Sequence, residues 1–306
     1  MADPTVEHLL DVAFDDVEHH GMTLAVVALA GDGRVLAERY GPTAGPDVTL
    51  ISWSMAKSFT HLAAGVAGVD PATSGLFEAW ADDEREAIRV EDLLRMRDGL
   101  AWNEDYVDAG GSDVIEMLFG AGADDVVGFA AARPAEVAPD TRWRYSSGTS
   151  NLLADVVRRA AGVDRGDAWR AWLVEQVCRP AGLISADPRL DASGSFVASS
   201  YLYATALDFA RFGLVYLHDG DGLVDPAWVA EARRPTPGVD EPGRGYGDQW
   251  WLWPDHPDWL GAHGYETQRT LVAYDRDLVV VRLGKTPEEV GGDHVDAWLE
   301  ELIDAL

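Results

Sequence analysis

The chain is short of cysteine, of lysine and of positive charge altogether. One cysteine in 306 residues, Cys178, excludes an internal disulfide and fits a reducing compartment. It precedes Arg179-Pro180-Ala181-Gly182, with no CxxC or metal-ligand neighbour, and reads as a small buried hydrophobe. No run reaches the roughly 18 apolar residues that a membrane-spanning helix requires; the longest, at 24–30, is the size of a strand. Met1-Ala2-Asp3-Pro4 lacks the basic and apolar regions of an export signal, so the expected location is cytoplasmic. Against 53 Asp and Glu there are only 24 Lys and Arg, a formal net charge of −29. Nucleic acid and anionic membranes are therefore disfavoured as partners, since both need clustered basic side chains. The acids are dispersed, as in Asp82-Asp83-Glu84 and Glu300-Glu301, without the spacing of a metal loop. The histidines show no ligand pairing either. Neither a metal nor another cofactor is expected.

What is present points to a globular protein: 47% apolar residues and 12 tryptophans. The length suits one large domain or two closely packed ones. Hydrophobic periodicity predicts a helix over 6–19, a hairpin of 23–30 and 34–40 around Gly31-Asp32-Gly33, and a short strand over 48–53. Helix signals then dominate, at 90–96, 112–119, 126–132, 150–160, 168–177 and 206–218, separated by Gly, Pro and Asp. Strand character returns at 249–253, 267–274 and 278–283, and 291–306 closes the chain as a helix. The expected fold is α/β of the α+β kind. Residues 1–68 and 236–306 form an antiparallel-sheet lobe with terminal helices, residues 69–235 a mostly helical lobe, with a cleft between.

Lysine is the rarest basic residue, with Lys57 and Lys285 standing against 22 arginines. Lys57 belongs to Ser54-Met55-Ala56-Lys57, at the predicted start of a helix. Residues i and i+3 are helix neighbours, so the Ser54 hydroxyl and Lys57 amine can meet. A desolvated lysine can lose its proton and act as a base, which arginine cannot do. The same four residues also read as a helix-start serine followed by a solvated lysine. Tyr145-Ser146-Ser147 precedes another helix; its phenol could act as acid or base if neighbours depress its pKa. Its plain alternative is a turn tyrosine before a capping serine. Ala262-His263-Gly264-Tyr265-Glu266 opens the penultimate strand, where backbone N–H groups could bind an oxyanion. A simple glycine bend fits that segment equally well.

Taken together, Ser-x-x-Lys, then Tyr-x-Ser about 90 residues on, then His-Gly-Tyr, resemble the serine β-lactamase and penicillin-binding-protein superfamily. Within it the chain is similar to class C β-lactamases, family VIII esterases and 6-aminohexanoate-dimer hydrolases. Residues 93–100 resemble the family's LLxHTSGL segment and residues 203–213 its sTaxDlarFg helix, so the likeness spans most of the chain. WNEDY (102–106) and YGxQWW (246–251) resemble the esterase and aminohexanoate branch. The resemblance implies a β-lactamase/DD-peptidase-like fold, with Ser54 as nucleophile and Lys57 and Tyr145 as the proton-transfer pair. The oxyanion would sit between the N–H groups of Ser54 and Tyr265, with Glu266 as the neighbouring alternative. His263, Gly264, Ser147 and Trp250 are expected to line the site.

Two departures bear on the substrate. Ser147 stands where class C enzymes carry asparagine, and His263-Gly264-Tyr265 stands where they carry Lys-Thr-Gly. Lys285-Thr286-Pro287 does not replace that motif, because proline takes the glycine's place. The resemblance then implies a small-molecule ester or linear amide as substrate; a D-amino-acid peptidase and a non-catalytic, acylated sensor are the alternatives. A homodimer would need an exposed apolar patch, which the sequence does not locate. The acidity itself fits either a salt-rich or a GC-rich source. If it is a salt adaptation, thermal denaturation followed by circular dichroism should show a midpoint that rises between low and molar salt; one that does not rise counts against that origin.

Overall fold

The computed structural model describes residues 4–106, 111–241, 243–253, 255–287 and 290–306; the first three residues, on which the leader expectation rests, lie outside these. The chain opens with α1 (Pro4–Asp15) and α2 (Val17–His20), followed by the hairpin β1 (Met22–Ala30) and β2 (Val35–Tyr40). Asp16 breaks the predicted first helix in two, because its side chain accepts the His19 N–H and caps α2. Next come β3 (Leu50–Ile51), α3 (Met55–Val66), α4 (Val90–Leu94), α5 (Asp113–Phe119), α6 (Val126–Ala131), α7 (Ser147–Ala160) and α8 (Asp167–Trp172). α8 runs on into one wide π-type turn, Leu173–Cys178, which buries Cys178. β4 (Asp187–Pro188), β5 (Leu202–Ala204), α9 (Ala206–Leu217) and α10 (Pro226–Ala232) lead back to the strands. Those are β6 (Gly245–Tyr246), β7 (Trp251–Trp253), β8 (His256–Gly264), β9 (Gln268–Ala273) and β10 (Leu278–Lys285), before α11 (Asp293–Ala305).

Seven strands make one antiparallel sheet in the order β2-β1-β10-β9-β8-β7-β6, and β3-β5-β4 form a small second sheet. The two ends of the sequence meet where β1 pairs with β10, Val27 opposite Val281. Both faces of β1 are covered, and side-chain alternation divides it between two cores. Val26 and Ala28 face Leu9, Leu10, Trp298 and Leu302 of α1 and α11. Ala25, Val27 and Leu29 face the larger core, shared with α3, α9 and the other helices. α9, from the helical stretch of sequence, packs on β1, β9 and β10. α10 and β8 were not expected from the sequence: the first is only seven residues long and buries just Val229 and Ala232, and His256-Pro257-Asp258 opens the second. Among the described residues no helix is long and apolar enough to cross a membrane.

Gln249 fastens the sheet edge to the helices. Its side-chain amide donates to the carbonyls of Leu93 (2.9 Å) and Leu94 (3.1 Å), and its side-chain oxygen accepts from Ser150 (2.7 Å). Its own carbonyl accepts from Ser58 of α3 (2.8 Å). The residue is buried and left-handed (φ 61°), so α3, α4 and α7 converge on one strained position. Gln249→Ala would leave buried carbonyls and a hydroxyl without partners. Denaturant unfolding should show a loss of about 2–4 kcal/mol; a loss under about 0.5 kcal/mol would rule out this role.

Candidate active site

Ser54 sits at the N-terminus of α3 without acting as its cap, since its side chain makes no capping hydrogen bond. The hydroxyl turns instead toward Lys57, whose Nζ lies 2.8 Å from Ser54 Oγ. Trp53, immediately before, holds a left-handed backbone (φ 44°), which makes the entry to the helix abrupt. Lys57 is only 1% exposed. Its amine also donates to Ser147 Oγ (3.0 Å) and to the Ser199 carbonyl (3.3 Å). Burial lowers its pKa to about 8, against the pull of the Glu104 charge, which raises it. The solvated-lysine reading therefore fails. A pKa near 8 leaves about a tenth of the amine neutral at pH 7, far more than in a solvated lysine, which is what a general base needs.

Tyr145 lies against the amine, with Nζ 4.7 Å from the ring centre. The sequence reading asked for a depressed phenol pKa. Burial, and then the Glu104 charge, push it upward, and hydrogen bonding with Ser54 and Trp251 does not outweigh them. Tyr145 is thus a proton donor in the resting site rather than a phenolate. Ser147 begins α7, three residues earlier than the sequence suggested, because the Ser146 side chain accepts the Thr149 N–H and starts the helix there. Asp98 anchors the same turn by accepting from Thr149 Oγ1 and from the Leu100 N–H. Burial raises its pKa to about 6.

One site residue was missed. Glu104, in the WNEDY segment, accepts from the Ser147 hydroxyl (2.5 Å), the Ser147 N–H (2.8 Å), the Tyr106 hydroxyl (2.7 Å) and the Trp102 indole. It comes from a loop 43 residues before Ser147, and no spacing rule links the two.

His263-Gly264 ends β8 instead of opening β9, with Tyr265 beginning the turn that follows, and strand alternation puts His263 and Gly264 on different faces. A Cβ on Gly264 would come within 2.2 Å of the Ser52 carbonyl oxygen, so only glycine lets this strand approach the loop before Ser54. Tyr265 follows at the mouth of the cleft, stacked on Tyr106 (5.1 Å between centres) and edge-on to Trp53 (5.7 Å). His263 points to the opposite face, where it stacks on Trp251 and meets Trp253 edge-on. Burial and the neighbouring Arg269 hold it well below its usual pKa. Trp250 likewise does not reach the cleft: it is fully buried against Phe212 and Tyr216, on the α3 and α9 side. Its neighbour Trp251 packs on Tyr145 at 5.3 Å instead. The structure thus brings together Ser54, Lys57, Tyr145, Ser147, Gly264 and Tyr265, and leaves His263 and Trp250 outside.

Beside this group lies a mainly apolar cavity of about 230 Å³, lined by Trp53, Tyr106, Val114, Ile115, Leu118, Phe119 and Tyr265. A hydroxyl activated by a buried amine, next to an apolar pocket, suits attack on an acyl carbon. The family model described as Beta-lactamase matches residues 5–305. The chain belongs to the Beta-lactamase family. Solved structures agree with this Beta-lactamase assignment at the level of the fold. One, provisionally described as a 6-aminohexanoate-dimer hydrolase from Bacillus anthracis, has a TM-score of 0.81 at 17% identity, covering 96% of this chain and 81% of that one. A family VIII carboxylesterase gives 0.74 at 14% identity, covering 100% and 99%. D-alanine carboxypeptidase AmpC from Burkholderia cenocepacia gives 0.70 at 13%, covering 99% and 98%. Among curated proteins none matches.

If the neutral form of Lys57 is the base, acylation of Ser54 should rise with pH through a limb near pH 8, because the amine is competent only above its own pKa. The pH dependence of kcat/KM for an activated ester checks this; a limb below pH 6 would assign the base elsewhere.

Proposed function

We propose that this chain is a serine hydrolase cleaving small, apolar carboxylic esters, with linear amides as a further substrate class, through an acyl-enzyme on Ser54. The observation that carries the reading is the 2.8 Å contact between Ser54 Oγ and the buried Lys57 amine, beside the apolar cavity. Lys57 takes the Ser54 proton as Oγ bonds to the acyl carbon. The oxyanion develops between the N–H groups of Ser54 and Tyr265, the latter brought close by the Gly264 approach to Ser52. Collapse breaks the bond to the leaving group, which takes a proton from Tyr145; that proton is replaced from the Lys57 ammonium. Water then attacks the acyl carbon, gives its proton to the same pair, and Ser54 leaves with a proton restored.

The pocket and the charges both favour an uncharged substrate. His263 stands where Lys-Thr-Gly enzymes carry a carboxylate-gripping lysine, and its ring is engaged by Trp251 and Trp253, with Trp251 between it and Tyr145. Arg269, near the mouth, is held by Asp296 at 2.8 Å. This speaks against β-lactams and peptide C-termini. The descriptions of two similar folds, as an aminohexanoate-dimer hydrolase and a carboxylesterase, fit the substrate classes proposed.

Ser54→Ala should abolish hydrolysis of p-nitrophenyl acetate and butyrate, and wild-type protein should cleave nitrocefin at least about a hundredfold less efficiently than the butyrate ester. Efficient nitrocefin turnover would overturn the substrate assignment. Tyr145→Phe should lose much more kcat/KM, which reports acylation, on ethyl butyrate than on p-nitrophenyl butyrate, because p-nitrophenolate departs without a proton. Equal losses would reject Tyr145 as the donor.

A further inference from the structure

Hydrogen-bond polarity at Lys57 is set by groups outside the nucleophile and its base. As an ammonium, Lys57 has three N–H groups and three acceptors: Ser54 Oγ, Ser147 Oγ and the Ser199 carbonyl. The neutral amine has two N–H groups and one lone pair, so one partner must become the donor. The Ser199 carbonyl cannot donate. The single hydroxyl proton of Ser147 is directed to Glu104 at 2.5 Å, and a carboxylate can only accept. Ser54 alone is left to point its proton at the lone pair. We infer that Glu104 is a positioning residue which, by fixing the Ser147 hydroxyl as an acceptor, aims the free electron pair of neutral Lys57 at the Ser54 proton. The inference rests on the reading of Ser54 as nucleophile.

All four partners of Glu104 among the described residues are donors, which makes the carboxylate hard to replace by its amide. One oxygen receives the Ser147 N–H and the Trp102 indole N–H, which cannot reverse; the other receives the hydroxyls of Ser147 and Tyr106, which can rotate. In Glu104→Gln the amide oxygen must face the two fixed N–H groups, leaving its NH2 facing the hydroxyls. Ser147 would then accept from that NH2 and turn its own proton to Lys57, competing with Ser54 for the lone pair. Size and shape are unchanged, so only hydrogen-bond polarity and charge differ, and the charge acts on the acid limb of the pH profile. The titratable groups facing the amine are Glu104, from the loop after α4, and Tyr145, before α7; Tyr106 and Tyr246 lie behind them.

The test follows acylation of Ser54 by p-nitrophenyl butyrate, by stopped-flow release of p-nitrophenolate and intact-protein mass, in wild type, Glu104→Gln, Ser147→Ala and the double variant. On the high-pH plateau, Glu104→Gln should acylate at least about tenfold more slowly in the wild-type background. With Ser147→Ala already present, the same change should cost less than about twofold, since the competing hydroxyl is gone. The acid limb should move to lower pH in both backgrounds, because a negative charge near Lys57 has been removed. Equal losses in the two backgrounds would overturn the inference and leave Glu104 a packing residue of its loop. Should Glu104→Gln not fold, judged by circular dichroism, Ser147→Ala still decides: a loss of only a few-fold supports an acceptor role, and a loss as large as that of Ser54→Ala overturns it. No Ser54 adduct in wild type would overturn the nucleophile reading and this inference with it.

Discussion

An amine held out of water is the constraint on which the rest of this molecule depends. Lys57 is almost completely buried, and an unpaired ammonium there would be prohibitively costly. Three acceptors satisfy it, each from a different part of the chain: Ser54 at the start of α3, Ser147 at the start of α7, and Ser199 just before β5. A shift of any one by an ångström would break a bond that is expensive to lose. The chain accordingly locks those segments together. Asn151 of α7 accepts the Ser199 N–H, Ser58 and Ser150 both bond to Gln249, and Ser52 bonds to the Ser200 and Leu202 segment. Buried polar networks of this kind fix one arrangement because partial satisfaction is worse than none.

The sheet contributes the other wall, and strain is concentrated where it meets the cleft. Glu266 and Thr267 are consecutive non-glycine residues with positive φ (57° and 64°). Such a turn persists only where its surroundings hold it. Arg282, fully buried on β10, donates to the carbonyls of Glu266 (3.2 Å) and Thr267 (3.0 Å). Gln268 donates to those of Tyr265 (3.0 Å) and Glu266 (3.3 Å). With the carbonyls tied back into the sheet, the peptide after Gly264 stays beside Ser52, two residues before Ser54. The stacked rings of Tyr106 and Tyr265 then join this wall to the helical side.

How much of this the sequence disclosed depends on the range of each interaction. The Ser54–Lys57 contact was legible because helix geometry alone places i and i+3 together. The joining of the two ends into one sheet was legible because only they carried strand periodicity. Parity was the signal left unread at β8 and β7. Gly264 faces Ser52 and Ala262 faces the larger core, so His263 between them must face α11. The same alternation sends Trp250 inward and leaves Trp251 beside Tyr145. Glu104 was not legible at all. It reaches Ser147 through a loop whose path is set by Trp102 and Tyr106 packing, and nothing local in WNEDY marks one acid among several as special. The direction of the Tyr145 shift was hidden for a related reason: it depends on that unseen charge as well as on burial.

The same charge type therefore does two unrelated jobs in one chain. Fifty-three Asp and Glu residues give the protein its net charge of −29, and most act on water and ions at a surface where salt screens them within about 8–10 Å. Glu104 sits behind tyrosine and tryptophan, near a buried amine, where screening is weak. Its negative charge favours protonated Lys57, in opposition to burial, and the balance of the two leaves the amine near pH 8 instead of far below it. A base whose pKa was driven lower would be neutral more often but would bind the Ser54 proton less strongly. A carboxylate that both strengthens the base and fixes the direction of the neighbouring hydroxyl serves proton transfer twice from one position. That combination requires a group that only accepts hydrogen bonds and carries charge, which among the neutral and acidic side chains leaves aspartate and glutamate alone.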